Sequence, residues 1–195
     1  MRYVVLRDKR VSGGVPSRPH LRIVNFDKDT SVTRAFHEIR ACAAAERVHT
    51  VFIICHGLAG GDFVDEVCVD GAGGLGLQLG RERILHENVA MWTAIRGLVK
   101  NIVVYSCMAA QARPGSEGTR SDGRYLMRAL ALHTQATVYA SDTAQDAHYW
   151  TKHGALQMGG WEGKLFRFAP DGWSCAVAHK APVEFNEMLG GRLVS

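Results

Sequence analysis

Two residues of this chain, Cys107 and His56, have the chemistry of a nucleophile and its base. Each closes an apolar run, Ile102-Val103-Val104-Tyr105-Ser106-Cys107 and Val51-Phe52-Ile53-Ile54-Cys55-His56-Gly57. If the runs are neighbouring parallel strands, thiol and imidazole arrive at the C-terminal edge of one sheet, where open α/β sheets place their ligands. A thiol is a usable nucleophile near neutral pH once a base or an electropositive setting favours its thiolate, and histidine is the usual base. The pairing predicts a cysteine-nucleophile hydrolase.

Other chemistries fit less well. Adjacent Cys55 and His56 point to opposite faces of a strand and cannot chelate one ion, so no metal is expected. Ser106 lacks both glycines of a GxSxG elbow, which argues against a serine hydrolase. Gly71-Ala72-Gly73-Gly74-Leu75-Gly76 matches GxGxxG in letters only: no parallel strand leads in and no helix opens there, so it is expected to be a turn. Cys55, Cys42 and Cys175 are expected to pack, and Cys68 falls in a loop. Of the four tryptophans only Trp161, in a Gly-flanked loop, is placed to line a pocket.

The elements that must carry the pair follow from periodicity and breakers. Tyr3–Leu6 predicts an N-terminal edge strand, closed by the turn-rich Val11-Ser12-Gly13-Gly14-Val15-Pro16. Leu21–Phe26 predicts a strand. Val32, Ala35, Phe36, Ile39 and Ala43 recur at helical spacing behind a Thr30-Ser31 cap. The His56 strand comes next. Phe63-Val64 with Val67-Cys68 suggests a small hairpin, and Leu75–Gly80 a short extra strand. Asn88 is expected to cap a helix with Val89, Trp92, Ile95 and Val99 on one face, leading into the Cys107 strand. Gln111–Gly123 predicts a long polar loop, Tyr125–His133 a helix, and Ala136–Ala140 a strand ending at Ser141-Asp142. Leu165–Phe168 and Trp173–Val177, around Ala169-Pro170-Asp171-Gly172, predict an antiparallel hairpin.

The fold class is therefore α/β, with a mostly parallel sheet, flanking helices and a C-terminal antiparallel hairpin. A chain of 195 residues is the size of one domain, divided into an N-terminal edge strand and loop (1–20), a parallel core (21–145) and a hairpin with tail (146–195). Hydrophobic residues make up 47% and charged residues 22%, an ordinary globular balance. The opening Met1–Arg7 is too short an apolar stretch for a signal sequence, and no run approaches a membrane span, so a cytoplasmic protein without membrane association is expected. Five cysteines without CxxC spacing read as free thiols. The net charge of +4 is spread among acidic residues without a basic stripe, so no nucleic-acid partner is expected.

The order of several short motifs carries a resemblance to a family. Cys55-His56-Gly57, Leu77-Gln78-Leu79-Gly80, Tyr105-Ser106-Cys107-Met108-Ala109-Ala110, Ala136–Asp142 and Gly159-Gly160-Trp161-Glu162-Gly163 together resemble the caspase-like cysteine peptidases of clan CD. The likeness is nearest to bacterial CHAT-type domains and spans about residues 20–170. A histidine roughly 50 residues before the cysteine belongs to the caspase pattern; here the interval is 51. Tyr-Ser-Cys-Met-Ala stands where animal caspases have Gln-Ala-Cys-Arg/Gln-Gly, so the resemblance carries no aspartate-directed specificity.

The resemblance implies a three-layer caspase-like (haemoglobinase) fold and an endopeptidase working through Cys107 and His56 without a cofactor. It implies an oxyanion held by the backbone N–H groups of Gly57 and Cys107. It places the specificity pocket at Tyr105 and at Ser141-Asp142, where a carboxylate would select arginine or lysine before the cleaved bond. An alternative for Ser141-Asp142 is a plain turn cap. The implied partners are a protein or peptide substrate and a regulatory protein. In this family the segment after the nucleophile often carries processing sites, which makes Arg120-Ser121 a candidate for self-cleavage, while Arg113 precedes Pro114. Two other functions fit the same residues: a silent scaffold of the same fold, and a thiol amidase or acyltransferase using the same dyad.

Overall fold

The computed structural model describes residues 2–60, 63–64, 67–68, 72–112, 115, 117–119, 122–145, 156, 158 and 160–189. Along the chain these form β1 (Tyr3–Asp8), β2 (Leu21–Phe26), α1 (Thr33–Ala43), β3 (Val48–Ile54), β4 (His56–Gly60), β5 (Phe63–Val64), β6 (Val67–Cys68), β7 (Ala72–Leu79) and β8 (Glu82–Ile84). A 3-10 helix (Val89–Ile95), β9 (Val99–Tyr105), α2 (Gly123–Thr134), β10 (Thr137–Ser141), β11 (Leu165–Phe168), β12 (Cys175–Ala178) and α3 (Phe185–Met188) follow.

The main sheet has the order β12-β11-β10-β9-β3-β1-β2. Its β2, β1, β3, β9 and β10 are parallel, and β11 and β12 continue it as an antiparallel hairpin. The steps β2 to β3, β3 to β9 and β9 to β10 all move the same way across the sheet. Right-handed crossovers, the rule for parallel strands, then carry all three connections over one face. That face is where Phe36 and Ile39 of α1, Val89, Trp92 and Ile95 of the 3-10 helix and Leu126, Met127 and Leu130 of α2 bury against Val51, Ile53, Ile102 and Val104. The step from β1 to β2 runs the opposite way, and its Val11 lies on the opposite face with Phe52, Tyr105, Leu156, Met158 and Phe185. Among the described residues, loops and the one-turn α3 pack on that second face.

Four local expectations change. The N-terminal strand is not at the edge: β1 pairs with β2 on one side and β3 on the other, because Val4, Val5 and Leu6 are apolar on both faces and all fully buried. The helix after Asn88 is 3-10, in keeping with the three-residue interval of Val89, Trp92 and Ile95. Asn88 accepts from Leu85 N–H and donates to the Arg83 carbonyl, without capping it. At the start of α1 the Ser31 hydroxyl accepts from the Thr33 N–H at 3.3 Å, as expected, and Glu82 on β8 adds a hold from a distance by accepting from the Val32 N–H at 2.9 Å and from the Ser31 hydroxyl at 2.8 Å. The glycine-rich GxGxxG stretch is not a turn but lies largely in β7.

Among the described residues no helix is long and apolar enough to cross a membrane. Arg113, Pro114, Arg120 and Ser121, and with them the proposed processing site, lie outside the described residues.

Candidate active site

The ladder between β3 and β9 ends with Ile54 opposite Tyr105, followed by a Cys55 N–H donating to the Tyr105 carbonyl at 3.2 Å. The chain segments carrying His56 and Cys107 therefore leave adjacent strands at the same level, at the C-terminal edge of the sheet. From there they diverge. His56 opens β4, which belongs to a separate ribbon of order β4-β7-β8. Cys107 begins a tight turn.

In the ribbon, His56 pairs with Gln78 and Gly57 with Leu77. Leu77 and Leu79 are fully buried, so the Gly57–Leu77 pair faces inward and the His56–Gln78 pair faces outward, where His56 is exposed. Inward of Gly57 lies the nucleophile turn. A β-carbon on Gly57 would stand 1.9 Å from the Cys107 carbonyl oxygen and 3.2 Å from Ser106 Oγ. Only glycine permits that approach.

The Cys107 turn is drawn tight by its next residue. Met108 has φ of 55°, a left-handed conformation uncommon outside glycine. The Met108 N–H donates to the Thr143 carbonyl and the Ala110 N–H to the Ser141 carbonyl, both at 2.8 Å. Just before them, the Cys107 N–H is left without an acceptor among the described residues. Behind the turn, Gly74 of β7 and Gly123 at the start of α2 meet so closely that a β-carbon on Gly123 would lie 2.9 Å from Gly74 Cα and 2.5 Å from the Ala109 carbonyl oxygen. Asp122 caps α2 by accepting from Arg124 N–H at 2.9 Å and Tyr125 N–H at 3.3 Å. The nucleophile turn is thus wedged between ribbon, helix and the end of β10.

The Cys107 thiol is half-buried and donates to the Gln145 carbonyl at 3.7 Å. Among the described residues it makes no hydrogen bond with His56. Cys55 is a different thiol. Burial, only partly offset by the neighbouring Ser106 hydroxyl, pushes it up to about 12, which makes it inert at neutral pH. Ser106 itself is buried, and its Oγ has no partner in hydrogen-bonding geometry. Burial likewise raises Cys42 and Cys175.

The remaining residues assigned from the sequence are held by the protein itself. Ser141 is fully buried and donates to the Glu162 carbonyl, as do Thr143 and the Gln145 side chain. Asp142 accepts from Lys164 N–H at 2.8 Å through one carboxylate oxygen, a turn contact; its other oxygen has no partner among the described residues. Tyr105 is buried on the second face. Its hydroxyl donates to Glu184 at 2.9 Å and accepts from Phe185 N–H, while its ring stacks on Trp161 with centroids 4.6 Å apart. Burial and the adjacent Glu184 carboxylate hold the phenol well above its ordinary value. Trp161 also donates to Glu184, at 2.9 and 3.0 Å.

Sequence reading missed Met108, Gln145 and Glu184. Neither methionine in a left-handed turn nor a carboxylate far along the chain leaves a local signal. No protein-family model matches the chain, and neither curated proteins nor solved structures show a significant match to it.

Proposed function

We propose that the chain is a caspase-like cysteine endopeptidase with Cys107 as nucleophile and His56 as base. The observation that carries this reading is the backbone contact of Gly57 with the Cys107 turn, which joins a His-Gly dipeptide to a strand-end cysteine. The parallel sheet closed by an antiparallel hairpin supports it. So does a Cys107 N–H with no acceptor among the described residues, beside the left-handed Met108, since fixed amide dipoles contribute a few kcal/mol to an oxyanion.

In the reaction His56 takes the thiol proton and Cys107 Sγ bonds to the scissile carbonyl carbon. The Cys107 and Gly57 N–H groups receive the oxyanion. Collapse breaks the C–N bond, and the amine leaves with the proton from His56. Water, deprotonated by His56, then splits the thioester, releases the acid and restores the thiol. Free enzymes often hold such contacts loose until substrate binds, consistent with a thiol that here donates to Gln145. Asp142, through the carboxylate oxygen that does not accept from Lys164, is the group proposed to select arginine or lysine.

The test is incubation with acyloxymethyl ketones bearing Arg, Lys, Asp or Asn, followed by peptide mapping. The expected result is an adduct on Cys107 that depends on the peptide and favours Arg or Lys. Absence of any Cys107 adduct would leave a scaffold of this fold. An adduct independent of the peptide would leave an amidase or acyltransferase.

A further inference from the structure

The main sheet does not set where His56 stands, because the ladder between β3 and β9 stops at Ile54 and Tyr105 and His56 belongs to the ribbon. The ribbon's far turn, at Gly80, is what ties it to the end of β1. Asp8, the last residue of β1, has a fully buried side chain. One carboxylate oxygen accepts from Arg10 N–H at 3.0 Å and Arg10 Nε at 2.8 Å; the other accepts from Arg10 Nη2 and from the Gly80 N–H at 2.7 Å. Arg10 Nη2 also donates to the Gly80 carbonyl at 2.8 Å. Both backbone polar groups of Gly80 are therefore held by one ion pair.

Gly80 is at φ of 60°, and a β-carbon there would stand 2.2 Å from the Thr30 carbonyl oxygen. On the same side the Arg81 N–H donates to Thr30 O at 3.0 Å. Two residues before Gly80 is Gln78, the cross-strand partner of His56, and its side-chain amide also donates to the Gly80 carbonyl, at 3.0 Å. The path from Asp8 to His56 is thus one hydrogen bond, two residues of strand and one ladder pair. Burying the Asp8 carboxylate while its partner Arg10 stays exposed is costly and is a poor route to stability alone. A carboxylate is also the side chain that can accept the Arg10 fork and the Gly80 N–H together.

We propose that Asp8 is a positioning residue for His56, fixing the register and tilt of the β4–β7 ribbon through Gly80. The inference rests on the reading of Cys107 and His56 as a dyad. Its test follows the rate of Cys107 alkylation by iodoacetamide against pH, read by peptide mass spectrometry. The proteins compared are the native chain, Asp8→Asn, His56→Ala and the double variant, each shown to be folded by circular dichroism at the working temperature. His56→Ala is expected to change the profile, because the group proposed to take the thiol proton is gone. Asp8→Asn is expected to move it the same way and to slow acyloxymethyl ketone labelling about tenfold, a step of roughly 1.4 kcal/mol. The double variant should match His56→Ala, since a residue acting only through His56 adds nothing once His56 is gone.

Should Asp8→Asn fail to fold, Asp8→Leu with Arg10→Met replaces the pair by apolar groups, removes its hold on Gly80 and must shift the profile equally. A folded form of either variant with the native profile, or a double variant whose loss multiplies the single losses, overturns the inference. If His56→Ala itself leaves the profile unchanged, the dyad falls and Asp8 falls with it.

Discussion

The α-carbon of Gly57 faces the Cys107 carbonyl so closely that a β-carbon would stand 1.9 Å from the oxygen. The obstacle is backbone and cannot swing aside as a flexible side chain would. It belongs to the residue proposed as nucleophile. Gly57→Ala must therefore displace either the start of β4 or the Cys107 turn. The expected outcome is a loss of ~2–3 kcal/mol in urea unfolding, in the range of overpacked sites, with at least a tenfold drop in ketone labelling. A variant that unfolds and labels like the native chain would show that the contact does not set the site.

Cys107 and Cys55 should separate cleanly. Cys107→Ala removes a half-buried thiol at the sheet edge and is expected to abolish turnover while changing stability by less than about 1 kcal/mol. Cys55→Ala removes a buried sulfur from the core and is expected to cost ~1–2 kcal/mol and to keep activity. Paired urea titrations and probe labelling check both. The opposite pattern would exchange their roles.

The same two-way burial predicts an alkaline limb. The Cys55 thiol is pushed from 9.0 to about 12 in the folded chain. Its contribution to stability is therefore complete below pH 9.0 and is lost as pH rises toward about 12, because only the unfolded thiol ionises in that window. Stability curves measured across it should be less steep for Cys55→Ala. Asp8 acts at the other end. Burial alone would raise it, but the hydrogen bonds from Arg10 and Gly80 outweigh burial and hold the carboxyl below its ordinary 3.8. Its contribution is present above that value and lost as pH falls through the lower native one, so Asp8→Asn should flatten the acid limb of the same curve.

Asp142→Asn keeps an oxygen for the Lys164 N–H and removes only the charge. Stability is expected to stay within ~0.5 kcal/mol, as for a conservative change at a partly exposed turn. Cleavage of arginine peptides relative to matched neutral ones should fall at least tenfold, the scale of one charge-assisted pair. Unchanged preference would reduce Asp142 to a turn residue and leave the dyad standing.

The alternation of strands and helices in the parallel core, the hairpin at Leu165–Phe168 and Cys175–Ala178, and the arrival of the His56 and Cys107 segments at one sheet edge were legible in the sequence, whereas β8, α3 and the break that starts β4 at His56 were not. Each rests on signals within a dozen residues: apolar runs, helical spacing, a Pro-Asp-Gly turn. Position in the sheet was not legible for β1, because a short apolar strand reads alike at an edge and in the interior until its partners are known. Nor was the second hold on the start of α1, which Glu82 adds to Ser31 from 50 residues away. The same limit applies to the site. Only the tertiary structure could bring the Gly57 α-carbon onto the Cys107 carbonyl, hold Gly80 with Asp8 and Arg10, and cover Tyr105 with Trp161 and Glu184. These contacts are decided by packing between segments distant in the chain, and hydrophobic periodicity records only which face of a segment is buried, not what it is buried against.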